Sequence, residues 1–84
     1  MRKLIINANP VLPFEIFEVE DDCVTISKIH QCQWARLALD FLKDYALRYQ
    51  EEVDVSFIGP ESYIRHFVKE ANKLEFVSAT GTGA

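Results

Sequence analysis

The stretch Val53 to Glu61, Val-Asp-Val-Ser-Phe-Ile-Gly-Pro-Glu, restricts the fold of this chain more than any other. Val53, Val55 and Phe57 alternate with Asp54 and Ser56, the two-residue period of a strand with one face buried and one partly wet. Pro60 then suits the first position of a helix, because it has no amide hydrogen to leave unpaired there, and Glu61 places negative charge where the helix dipole favours it. A strand that runs through one glycine into a helix points to mixed α and β architecture. It specifies no chemistry.

The flanking segments extend that reading. Lys3 to Asn7 is a short β-rich run, closed by a turn or extended loop at Asn7-Ala8-Asn9-Pro10-Val11-Leu12-Pro13. Phe14–Val19 and Cys23–Ile29 read as an antiparallel hairpin around the acidic Glu20-Asp21-Asp22. The adjacent apolar pair Ile16-Phe17 must point to opposite faces unless a bulge intervenes. In the second arm Val24 and Ile26 share one face, while Thr25 and Ser27 share the other with Asp54 and Ser56, on the side left open.

Trp34 to Tyr49 carries apolar residues at 34, 35, 38, 39, 41, 42, 45, 46 and 49, with Arg36, Asp40, Lys43, Asp44 and Arg48 opposite, which is helical spacing. Asp44 and Arg48 stand four apart in the favourable order, a support of only about 0.2 to 0.5 kcal/mol. A second helix is expected from Pro60 to Leu74, with Ile64, Phe67, Val68, Ala71 and Leu74 inward. Glu75 to Ser78 then forms an edge strand, and residues 79–84 read as a flexible tail. The expected fold is α+β, a two-layer sandwich in the order β-β-β-α-β-α(-β), with a mostly antiparallel sheet and both helices on one face.

A chain of 84 residues makes one compact domain, taken here as 1–78, and at this size it buries about 60 to 65% of its unfolded surface. Modest stability follows, which a partner or a second copy would raise. The 49% hydrophobic content and ten aromatic residues separate it from disordered chains. No apolar run approaches the roughly 18 residues that span a bilayer, and the segment after Met1 is too short for a secretion signal, so a cytoplasmic protein without membrane contact is expected. With a net charge of −4 and no basic tract, nucleic acid is a disfavoured partner.

Candidate chemistry is sparse. Glu15, Glu18, Glu20, Asp21 and Asp22 form a dense acidic hairpin without the spaced D-x-D-x-D-G pattern of a calcium loop, so a solvated turn or a protein-binding surface is the reading, with Asp54 and Ser56 joining that surface. Cys23, His30, Cys32 and His66 are zinc-type ligands, yet no C-x2-C or H-x3-H pair brings two together locally. Cys23 and Cys32 read as reduced thiols rather than a disulfide. No metal, cofactor or catalytic residue is assigned.

The Gly59-Pro60 turn offers weak anion-site candidates in Ser62, Arg65 and Lys69, although one glycine is not a phosphate loop and Pro60 removes a donor. Trp34, Tyr45 and Tyr49 lie on the apolar stripe of the first helix and are expected in its core packing rather than as a platform for bases.

Three β-type runs followed by helix, strand, helix and a last strand resemble the opening of an RNase H-like domain, in which a β-meander precedes alternating α and β elements. That family's metal chemistry looks for an aspartate in the first strand. Leu4-Ile5-Ile6-Asn7 has none, and Asp54 in the fourth run is a single carboxylate, too few for a two-metal site. The resemblance therefore implies a degenerate relative without catalysis. Separate from it stands the alternative of a small nucleotide- or nucleic-acid-binding protein, using His30, Cys32, His66 or the Gly59 turn, or Arg65, Lys69 and Lys73 on the second helix. The residues themselves favour a non-catalytic module that binds another protein, or a second copy of itself, through an edge strand or an open sheet face.

Overall fold

A computed structural model describes residues 1–9, 13–22 and 24–83, the last two by backbone alone. The elements are β1 (Arg2–Asn7), β2 (Phe14–Val19), β3 (Ile26–Cys32), α1 (Ala35–Tyr49), β4 (Val53–Gly59), α2 (Glu61–Ala71) and β5 (Val77–Gly83). The expected turn at Pro10-Val11-Leu12, the role of Cys23 and the end at Ala84 lie outside the described residues.

The strands form one sheet in the order β3-β2-β1-β4-β5. The α+β order is the one read from the sequence, but the sheet is mixed rather than mostly antiparallel. β1–β2 and β2–β3 are antiparallel, whereas β1–β4 and β4–β5 are parallel. The reason lies in the connections: β1 to β2 and β2 to β3 are joined by segments too short for a crossover, while α2, like α1, returns the chain to the end where the previous strand began. Neither helix is long and apolar enough to cross a membrane.

One face of the sheet is dry. Leu4, Ile6, Ile16, Val53, Val55 and Phe57 are fully buried, and the register puts them in shared rows, with Ile6 beside both Ile16 and Phe57, and Leu4 beside Val55. Both helices lie over this face, contributing Ala38, Leu42, Tyr45 and Ala46 from α1 and Ile64, Phe67 and Ala71 from α2 to the same core. Phe67 meets Phe57 stacked and Phe14 edge-on, each at 5.3 Å between centroids. Among the described residues nothing packs on the reverse face, where Lys3, Asp54 and Ser78 form one row and Ile5, Ser56 and Thr80 the next.

Ile16 and Phe17 do point to opposite faces, and a register shift falls at their junction: Ile16 pairs with His30 but Phe17 with Lys28, leaving Ile29 as the extra residue. Two expectations for this arm change. Val24 and Thr25 precede β3, and Ser27, opposite Glu18, lies on the helix side, so Ile26 rather than Ser27 faces outward, 52% exposed. That outward face carries no helix, so an apolar side chain there gains little burial.

At the other edge the strand begins and ends later than expected. Phe76 sits at φ 63°, a left-handed turn conformation that cannot continue as strand, so Glu75 and Phe76 belong to the turn. Residues 79 to 83, expected as a tail, pair instead in register with β4 out to Gly59. Backbone pairing and small side chains suffice there, because Ala79 and Gly81 let α2 lie close.

Candidate interaction surface

The acidic hairpin does not form a single patch. Glu15 binds Lys28 at 3.2 Å on the open face. Asp22 holds the turn: its Oδ1 accepts the backbone N–H groups of Val24 and Thr25, each at 2.8 Å, and its Oδ2 accepts the Thr25 hydroxyl at 2.7 Å. These bonds, the Thr25 hydroxyl first, pull the Asp22 carboxyl below its ordinary value. Glu20 accepts from the Ser27 hydroxyl, and Asp21 lies in the same turn. Three of the five carboxylates thus shape the hairpin itself.

Glu18 faces the other way. It accepts a hydrogen bond from the Tyr45 hydroxyl on α1 and lies 3.5 Å from the Arg2 guanidinium. Arg2 in turn sits 3.4 Å above the Tyr49 ring, a cation–π contact, and 3.9 Å from Glu51. Five residues from β1, β2, α1 and the entrance to β4 are clamped together. This cluster was invisible in sequence, since only the register that sets Leu4 opposite Glu18 brings Glu18 beneath α1.

Burial, then the bond to Glu18, push the Tyr45 hydroxyl up to about 12. The neutral phenol is the form that the fold favours, so its contribution is complete below pH ~10 and is lost as pH rises through the folded value. An alkaline titration followed by tyrosinate absorbance should show one late ionisation coinciding with loss of tertiary structure. Tyr45→Phe should abolish that phase and lower stability by about 1 kcal/mol; an unchanged titration would refute the assignment.

The zinc-type and thiol candidates do not converge. Among the described residues no group of three His, Cys, Asp or Glu side chains could hold a metal ion. His30 stacks on Phe41 at 4.3 Å, and Cys32 is a buried free thiol with its Sγ 3.7 Å from the Trp34 carbonyl. Burial pushes that thiol up, toward the unreactive protonated form. His66 stands on α2, over β4 and β5, and does not line the cleft that His30 and Cys32 share.

Of the anion candidates, Arg65 and Lys69 stay together and Ser62 does not join them. Arg65 is bound by Glu61 at 2.7 Å, which sets a carboxylate in the first turn of α2. Arg65 and Lys69 flank a groove over Gly81, Ile64 and Val68, which Ser62 does not line. Gly59 adopts φ 147°, and the Ala8 backbone passes 3.1 Å from where its Cβ would be, so that glycine serves a close approach of two backbone segments.

The two sheet edges differ. Val53 N–H donates to the Phe76 carbonyl, so alternate residues of β5, starting at Val77, turn their backbone groups away from β4. At Ala79 both outward groups are taken by Asn72, whose Oδ1 accepts the N–H at 2.9 Å and whose Nδ2 donates to the carbonyl at 3.2 Å. That amide mimics a neighbouring strand and closes the middle of the edge. Asn72→Ala should destabilise the protein by about 1 to 2 kcal/mol in urea unfolding, and should introduce concentration-dependent association in sedimentation; neither change would be seen if the amide were incidental.

Among the described residues no side-chain amide closes β3 in this way. Beside it runs a cleft lined by His30, Gln31, Cys32, Leu37, Asp40 and Phe41, with Asp44 at its far end. Trp34, expected in the core, is the N-cap of α1 and 68% exposed at the neighbouring surface with Leu37. The stripe it belongs to is real, but its first residue lies beyond the sheet that α1 covers. Comparisons of the chain with known protein families, with curated proteins and with solved structures gave no match.

Proposed function

We propose that this protein is a non-catalytic binding module that engages another protein, or a second copy of itself, through the uncovered parts of its sheet. The observation that carries this reading is the one-sided cover. Helices shield a single face, and the reverse face and the β3 edge leave Ile26, Ile58, Trp34 and Leu37 in solvent. His30 and Cys32 share a cleft, but burial pushes the Cys32 thiol toward its protonated form and His66 lies elsewhere, which supports binding over catalysis. Apolar side chains beside unpaired strand backbone are what a docking strand or sheet uses.

Sedimentation velocity across a wide concentration range, together with affinity capture from a lysate and identification of what is retained, tests the reading. A reversible dimer or a stoichiometric protein partner is expected. A strict monomer that retains nothing would overturn it.

A further inference from the structure

We propose that the outer edge of β3 receives an extended, cationic segment of another protein as a sixth strand. On the side that faces α1, that segment would set apolar side chains against Leu37 and Phe41 and Lys or Arg side chains against Asp40 and Asp44. The inference rests on the binding-module reading and names its site and partner chemistry.

Three observations carry it. First, the edges are unequal: the Asn72 amide occupies the middle of β5, while the flank of β3 is a cleft. Second, the cleft has a floor and a rim suited to side chains of an added strand. Phe41, stacked on His30, and Leu37, 41% exposed, form the apolar part. Residues four apart on α1, such as Leu37 and Phe41 or Asp40 and Asp44, advance about 6 Å along the helix. Alternate residues of a strand advance about 6.6 Å, so successive side chains on one face of the guest meet successive turns of α1.

Third, the charge selects the guest. Asp40 and Asp44 are exposed, and none of the ion pairs among the described residues involves either; the pair expected between Asp44 and Arg48 is not formed. Two copies meeting edge to edge at β3 would bring these acids against each other, whereas Lys28 and the bulge at Ile29 confront any added strand alike. A foreign basic strand relieves the first problem, and Lys28, already bound to Glu15, repels it little.

The test uses the whole chain and short blocked peptides in which threonine alternates with lysine and valine in turn, or with glutamate and valine in turn. Trp34, the single tryptophan, reports binding by its emission, and amide hydrogen exchange reports strand addition. The lysine peptide should bind saturably and slow exchange in β3, and the glutamate peptide should not bind. Asp40→Asn with Asp44→Asn should weaken binding about three- to tenfold at low salt, whereas Glu52→Gln with Glu75→Gln, the same charge change beside β4 and β5, should leave it unaltered.

Equal binding of both peptides, binding without slowed exchange in β3, or no binding of either would overturn the assignment. If the peptides fail while sedimentation still shows a dimer, or capture a partner, only the β3 site falls; if all fail, the binding reading falls with it.

Discussion

Phe67→Ala is expected to lower stability by about 3 to 5 kcal/mol. Phe67 is 1% exposed and carries the contact of α2 with two strands at once, stacked on Phe57 of β4 and edge-on to Phe14 of β2. Removing the ring leaves a void between elements that cannot close without sliding α2 across the sheet. A chain of this length has about 4 to 13 kcal/mol in total, so the variant should unfold at low urea or lose fixed tertiary structure while keeping much of its secondary structure. Tyr63→Ala on the same helix, where the ring is 44% exposed, should change stability by no more than about 0.5 kcal/mol. Similar effects from the two truncations would mean that the aromatic core does not hold α2.

Gly81→Ala should cost about 1 to 3 kcal/mol, although the residue lies near the end of an edge strand. A Cβ there would stand 2.0 Å from Cγ2 of Ile64 and 3.2 Å from Cγ2 of Val68. Both are β-branched residues in a helix, where one χ1 rotamer dominates, so neither methyl can swing aside cheaply. Either α2 lifts from the sheet or β5 loses its register with β4. Urea unfolding of a double-mutant cycle decides the cause: in an Ile64→Ala background the 2.0 Å clash is gone and only the 3.2 Å approach to Val68 remains, so the penalty of Gly81→Ala should fall to a minor part of its value. An undiminished penalty in that background would show that the glycine is needed for its backbone alone.

The parts of the fold that could be read in the residues share one property, a local pattern. The alternation of Val53, Val55 and Phe57 placed β4 with its buried face correct, and the helical stripe from Trp34 to Tyr49 placed α1 to within one residue. The Ile16-Phe17 pair pointed to opposite faces, and a bulge sits at the same junction. Where pattern met the limits of cover, reading failed. Trp34 continues the stripe of α1 but overhangs the sheet, and Ile26 continues a strand but lies outside the helices, so both are wet. Residues 79 to 83 looked too small and polar to stay ordered, yet a parallel strand needs only backbone groups and room for α2.

The candidate surface was less legible still. Of the acidic residues grouped in sequence, Glu15 and Glu18 turn to opposite faces because neighbours along a strand alternate and the turn residues are consumed in the turn. Asn72 and Asp40, which distinguish the two edges, carried no sequence signal, since an exposed asparagine or aspartate looks alike at a sheet edge and in solvent.

From sequence alone came the identity and order of the elements and the inward side of each helix, because hydrophobic period is a property of neighbours a few residues apart. Tertiary structure decided strand order, the mixed direction of the sheet, the Arg2–Glu18–Tyr45 clamp and which edge stays open. The clamp joins residues 16 to 43 positions apart and the β1–β4 pairing joins residues as distant as Arg2 and Val53, so their geometry is set only once crossover helices have fixed which strands lie side by side.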